Sequence, residues 1–316
     1  MLRRRAKSVL LLFFLFNAVV GASSLSLDLR LMQMVPPESQ VIASMHIPTP
    51  QGQPSSFLLI TINNRIDLED FYAVTGADAS RLIHQVVFLA AADGDGRLSE
   101  HSLLVSGHFN RDAIFRFAES GNARTESYRG EAVLLVPPLA RERSEFKHLR
   151  WLAILNSDIA IFGTEDSVQR ELDRKIANSR PDRSLMERLS RLGRRDDAWC
   201  LLPAPPVGGA IASVLDKLDP RVAAVARDGG SMQYGVHFGR RVEITASSNI
   251  AARESSNSAT DQADAHLTPT HYLLGDSPRG GDGGTIAVVK ISRRRYDEWL
   301  DKFSKGDITI VETLPH

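Results

Sequence analysis

Short apolar runs, alternating or continuous, dominate the chain and are separated by glycine, asparagine and aspartate, a pattern that predicts strands more often than helices. Val41–Ile47 (VIASMHI) reads as a first strand ended by Pro48, and Leu68–Val74 as a short helix closed by Gly76. Ile83–Ala91 and Ser102–Phe109 pair across the polar link Asp93-Gly94-Asp95-Gly96 as a hairpin. Asn110 is placed to cap a helix over Arg111–Glu119, with Ile114, Phe117 and Ala118 on one face and Gly121 just past its end. Ala123–Tyr128 with Glu131–Val136, turned at Arg129-Gly130, and Leu149–Leu155 with Asp158–Phe162, turned at Asn156-Ser157, are two further hairpins. Val168, Leu172 and Ile176 recur every four residues after Thr164 and predict a helix ended by Pro181. Leu185, Met186, Leu189 and Leu192 predict another, closed by Gly193.

The same order then recurs. Ala198–Leu202 is a strand, Gly209–Leu218 a helix, and Met232–Phe238 with Arg241–Ala246 a hairpin turned at Gly239-Arg240. This matches the strand, helix and hairpin of Ser102–Val136 and suggests two related halves, residues 37–193 and 194–316. Within the second half, residues 247–284 form a polar loop that is rich in Ser, Asn, Ala and Asp up to Thr270 and closes on Arg279–Gly284 (RGGDGG). A strand over Thr285–Ile291 and a helix over Arg293–Phe303 follow, the helix placing Tyr296, Trp299, Leu300 and Phe303 on one face. The expected fold class is α+β, with antiparallel sheets and packed helices.

The N-terminus reads as an address rather than as part of this fold. Arg3, Arg4, Arg5 and Lys7 precede an apolar stretch over Val9–Val20, and Gly21-Ala22-Ser23 supplies small residues, a secretory signal pattern with cleavage after Ala22. The alternative is an uncleaved inner-membrane anchor, but a spanning helix wants about 20 apolar residues and this stretch is shorter and includes Asn17. Residues 23–36 then form a lead-in segment, and Pro36-Pro37 marks the start of the folded part.

Charge and cysteine content sharpen that reading. The 316-residue chain has 38 basic and 38 acidic side chains, and residues 1–22 hold four of the basic ones and no acid, so the remainder is mildly acidic. A mildly acidic chain is a poor match for nucleic acid, which needs clustered surplus Lys and Arg. Cys200 is the single cysteine, so no internal disulfide can form and stability rests on packing. The exported destination is therefore the periplasm or the medium of a bacterium.

Several phrases add to this: MVPPESQVIASM (Met34–Met45), SLLVSGHFNRDAI (Ser102–Ile114), YRGEAVLL (Tyr128–Leu135), LNSDIAIFGTEDSVQREL (Leu155–Leu172) and DDAWCLL (Asp196–Leu202). Together they resemble a group of exported bacterial proteins of unassigned function. The resemblance covers about two thirds of the chain after Ala22 and implies export and a strand-rich α+β fold. No catalytic or binding residue is carried across by it.

Candidate chemistry is sparse. Asp93–Glu100 alternates acids with glycines, but with Gly96 or Gly94 at the sixth position of a calcium loop the first position falls on Ala91 or Leu89. His101 and His108, seven residues apart along a strand, point to opposite faces and cannot share an ion. Asp261, Asp264, His266 and His271 carry ligand chemistry without the spacing of a closed zinc motif. Cys200 follows Asp196 and Asp197, yet both faces of its strand are apolar, which predicts an inert thiol. Arg293, Arg294 and Arg295 open the last helix, where an anionic partner or lipid headgroup surface is the alternative to solvation. Nucleophile-elbow, zinc-protease, phosphate-loop and dinucleotide motifs are absent from the sequence.

No catalytic, cofactor-binding or metal-ligating residue is assigned, and no cofactor. The expected function is that of a non-catalytic envelope protein that binds another protein or an envelope component. A hydrolase with a site assembled from dispersed Ser, His and Asp is the second class. A membrane-tethered scaffold that keeps its N-terminus is the third.

Overall fold

β1 (Val41–His46) has an antiparallel partner on each side, β2 (Ile83–Ala92) and β8 (Ala198–Leu202), and the sheet extends outward from these three strands. The computed structural model describes residues 28–46, 68–76, 83–92, 98–137, 150–190, 196–202, 225, 231–249 and 286–304. Beyond β2 lie β3 (Leu98–Gly107), β7 (Ile159–Thr164), β6 (Arg150–Ile154), β5 (Glu131–Val136) and β4 (Arg124–Tyr128). Beyond β8 lie β9 (Ser231–Phe238), β10 (Arg241–Asn249) and β11 (Ile286–Ser292). The result is an α+β fold that has, among the described residues, an 11-stranded sheet whose neighbouring strands all run antiparallel.

Strand alternation divides the apolar residues between two cores, one on each face of the sheet. Val41, Ala43 and Met45 of β1 share the first core with Ala198, Cys200 and Leu202 of β8, while Ile42, Trp199 and Leu201 enter the second. The first core is covered by α2 (Leu68–Thr75), α3 (Arg111–Ser120) and α6 (Arg293–Ser304), which contribute Phe71, Ile114 and Trp299 among others. On the second face lie α1 (Leu29–Met34), α4 (Glu165–Ile176) and α5 (Arg183–Ser190), through Leu31 and Met32, Val168 and Leu172, and Leu185 and Leu189.

Local chemistry explains most element ends. The Asn110 side chain accepts from the Ala113 amide at 3.0 Å and so caps α3. Asn156 Oδ1 accepts from the amides of Asp158 and Ile159, which turns β6 into β7. Arg129 and Gly130 both have positive φ, +49° and +88°, the twist that matches a two-residue hairpin between β4 and β5. Gly121 stands just past the end of α3, as expected, with φ −91°, and the left-handed position that follows is taken by Asn122 at +70°.

Three further differences concern burial and extent. Residues 29–34, inside the expected lead-in, form α1 and bury Leu31, Met32 and Met34, because these three apolar residues in a helical spacing find the face of α4 and the sheet. Phe117 and Ile176, expected on buried helix faces, are 49% and 43% exposed, since Ile114 with Ala118 and Val168 with Leu172 already fill the inward stripe of each helix. Ser247–Asn249, read as the start of the polar loop, extend β10 and pair with β9. The helix over Gly209–Leu218, the link Asp93–Gly96 and the segment 250–285 lie outside the described residues.

Gly163 of β7 stands opposite Ser102 of β3. A Cβ there would come within 2.5 Å of the His101 carbonyl oxygen and 2.8 Å of the Ser102 Cα, so backbone would have to move. Gly163→Ala is expected to cost about 3 kcal/mol, the upper end for overpacking. A urea midpoint equal to wild type would refute this close approach.

Candidate functional site

One group of polar residues on the second face lies where its apolar cover ends, at the C-terminal ends of β1 and β9 and just before β8. Asp197 is held in the ladder by its backbone, its amide donating to the Val236 carbonyl at 2.8 Å and its carbonyl accepting from the His46 amide at 3.0 Å. Its buried carboxylate accepts the Phe238 amide at 2.7 Å and lies 3.0 Å from His237 Nδ1. The imidazole is thereby oriented, with its ring 37% exposed. His46 lies close enough to feel the same carboxylate, but burial outweighs that attraction and holds its pKa below the ordinary imidazole value. The Asp196 carboxylate sits against Gly235, where any side chain would collide with it.

An aspartate that orients a histidine is two thirds of a nucleophilic triad. The missing third is a hydroxyl or thiol, and among the described residues none is hydrogen-bonded to the His237 or His46 ring. Among the described residues the pair has no nucleophile to activate.

A second polar group is buried deeper. Glu171 of α4 is 1% exposed and accepts a short hydrogen bond from the Ser102 hydroxyl, while its Oε2 has no hydrogen-bond partner. Beside it is a cavity of about 20 Å³ lined by Pro36, Ser39, Ala90, Ser167 and Arg170, open enough for about one water molecule and far below the size of a substrate pocket. Burial raises the Glu171 pKa to about 8, against the smaller opposing effects of the Ser102 hydrogen bond and the Arg170 charge. The residue is therefore a neutral acid at pH 7. Its helix register, three residues after the buried Val168, is the signal that pointed inward; its charge argued the other way.

The residues singled out in the sequence are scattered. Cys200 is buried in β8 between two apolar layers, and burial raises its pKa, so the thiol stays protonated. His101 is buried within β3, whereas His108 is exposed past its end and lies against His84 instead. Arg293 and Arg294 pair with Asp297 and Glu298 at 3.1 and 3.5 Å, and Arg293 also lies over the Phe238 ring, so two of the three charges at the start of α6 are answered within the helix. Asp261, Asp264, His266 and His271 fall outside the described residues. Among the described residues no three His, Cys, Asp or Glu side chains converge as a metal site, and no helix is long and apolar enough to cross a membrane.

Fold and site together define an antiparallel α+β protein with a paired Asp–His, a buried neutral glutamic acid and no assembled catalytic centre among the described residues. No protein family matches the chain, and no curated protein does. Among solved structures it is similar to crystal form I of TP0453, with 13% identity and a TM-score of 0.47 over 88% of this chain and 99% of that one. Crystal form IV of TP0453 gives 13% identity and 0.40 over 72% and 83%. At these scores the likeness carries no argument about activity, and no named family stands behind the resemblance drawn from the sequence phrases.

The neutral Glu171 has a measurable consequence. A carboxyl whose folded pKa lies above its unfolded value of 4.5 contributes stability that is full below pH 4.5 and is lost as pH rises toward 8. The loss amounts to about 1.4 kcal/mol per pH unit across that window. Glu171→Gln is expected to remove this slope in urea unfolding measured from pH 5 to 8, and an unchanged slope would show that Glu171 is ionised in the folded protein.

Proposed function

We propose that the protein is an exported component of the bacterial envelope that acts by binding another protein or an envelope component, without catalysis. The observation that carries this reading is a sheet face left exposed on β10 and β11 and at the end of β9. On β9, β10 and β11 the first-core face is filled by Tyr234, Ile244, Ile291 and the α6 residues Tyr296 and Trp299. The opposite face presents His237, Glu243, Thr245, Ser247, Val288 and Lys290, all half-buried or exposed, with Val288 at 50%. Glu243 and Lys290 neutralise each other there at 2.9 Å, leaving a surface of mixed apolar and polar character rather than one of strong charge. Such a face suits a protein partner better than a polyanion.

Destination belongs to the same proposal. The basic and apolar N-terminus, with small residues at Gly21-Ala22-Ser23, supports export to the periplasm or medium with cleavage after Ala22. The alternative is retention as an inner-membrane anchor, which would make the protein a tethered scaffold. A hydrolase remains the second reading, favoured by one observation, the Asp197–His237 pair.

A photoreactive amino acid at position 288 is expected to give a discrete adduct in the native envelope fraction, whereas the same probe at Arg124 on the far edge strand gives none. The binding reading fails if position 288 yields no reproducible adduct while the pure protein hydrolyses ester or peptide substrates and His237→Ala abolishes that activity.

A further inference from the structure

Two histidines that are distant in sequence meet at the end of the β2–β3 hairpin. The rings of His84 and His108 have centroids 4.6 Å apart and planes at 89°, and both residues are exposed. Strand spacing alone does not place them together, because the ladder pairs Ile83 with Gly107 and Gln85 with Ser106. His84 is the residue inserted between those two pairs, so a β-bulge in β2 is what turns its ring toward His108. His108 is fixed from the other side: the Gly107 amide donates to the Asp158 carbonyl at 2.8 Å and the Phe109 amide to the Ser157 carbonyl at 2.6 Å. Backbone on both flanks of His108 is thus tied to the β6–β7 turn, and the Asn110 cap begins a helix two residues later.

We propose that His84 and His108 form a two-imidazole chelate for one divalent ion of the borderline transition metals, the class of Zn²⁺, Cu²⁺ and Ni²⁺. The ring spacing is compatible with it. Two imidazoles that bind one ion at the usual 2.0–2.1 Å, with an angle of 90–110° at the metal, bring their ring centroids to about 4.5–5.2 Å. The observed 4.6 Å lies within that span, near its right-angled end. Neutral imidazole nitrogen is a ligand these ions prefer over the calcium and magnesium that oxygen ligands select. Both rings are open to solvent, so an ion reaches them without any rearrangement of the core. Among the described residues no third His, Cys, Asp or Glu joins the pair, so the ion keeps water at its remaining positions. The site is unrelated to the Asp197–His237 pair, which lies just before β8 and near the end of β9.

The test uses the untagged chain beginning at Ser23, titrated with Zn²⁺ against a chromophoric chelator. Wild type is expected to bind with a component that His84→Ala and His108→Ala each weaken at least tenfold. His266→Ala/His271→Ala, in the other histidine-bearing stretch, is expected to leave that component unchanged. Because both rings are exposed, circular dichroism should show the two single variants folded. Electron paramagnetic resonance of the Cu²⁺-loaded protein adds a direct readout: two coordinated nitrogens in wild type and fewer in either single variant. The proposal is overturned if no saturable binding occurs, or if both single variants retain wild-type affinity, in which case the ring contact is aromatic packing alone.

Discussion

The pairing of β1 with β8 is the contact on which the rest of the sheet depends. Ile42, Ala43, Ser44 and Met45 stand opposite Leu201, Cys200, Trp199 and Ala198, and every one of these side chains is buried. A strand buried on both faces has no solvated side, so its backbone groups must be paired by neighbours and its register cannot slip. A shift by one residue would exchange Cys200 with Trp199 between two differently shaped cores. Held in this way, β1 and β8 join the seven-strand run from β1 to β4 to the four-strand run from β8 to β11.

That constraint also decides where polar groups can lie. In the middle of β1 the one polar side chain, Ser44, accepts a hydrogen bond from Gln85 at 2.8 Å and so satisfies a neighbour that is itself buried. Toward the ends of the same strands the apolar layer stops, and the ladder positions that continue its alternation become His46, Asp197 and His237. On the other side of the sheet's centre the Ser102–Glu171 pair sits beneath α4, made possible by the missing side chain at Gly163. Its carboxyl is neutral because burial penalises the ionised form. The two polar groups thus arise from one sheet by opposite routes, the first by the apolar cover ending and the second by a polar pair being enclosed.

Elements with strong local signals were legible beforehand. Ala198–Leu202 has the bounds expected from its apolar run, and the hairpins at Arg129-Gly130 and Gly239-Arg240 turn where glycine and polarity placed them. The Asn110 cap was equally plain, since a capping side chain acts within three residues of itself. The burial of Cys200 also followed from its strand, whose two apolar faces enclose the thiol. The Asp197–His237 contact and the buried Glu171 were not legible. Each joins residues at least 40 positions apart, and the side chains involved look like ordinary surface residues until the strand order is known.

What the sequence determined by itself was local or compositional: an export-type N-terminus as an expectation, a mildly acidic remainder, a single thiol, and a succession of strands and helices with most of their ends. These depend on interactions within a few residues, so periodicity, capping and turn chemistry are enough to read them. The tertiary structure alone decided that α1 belongs to the core, that β1 lies between β2 and β8, and that His84 meets His108 while His101 is buried elsewhere. Those outcomes turn on strand order and on one inserted residue in β2, quantities set by the packing of two whole cores against a common sheet.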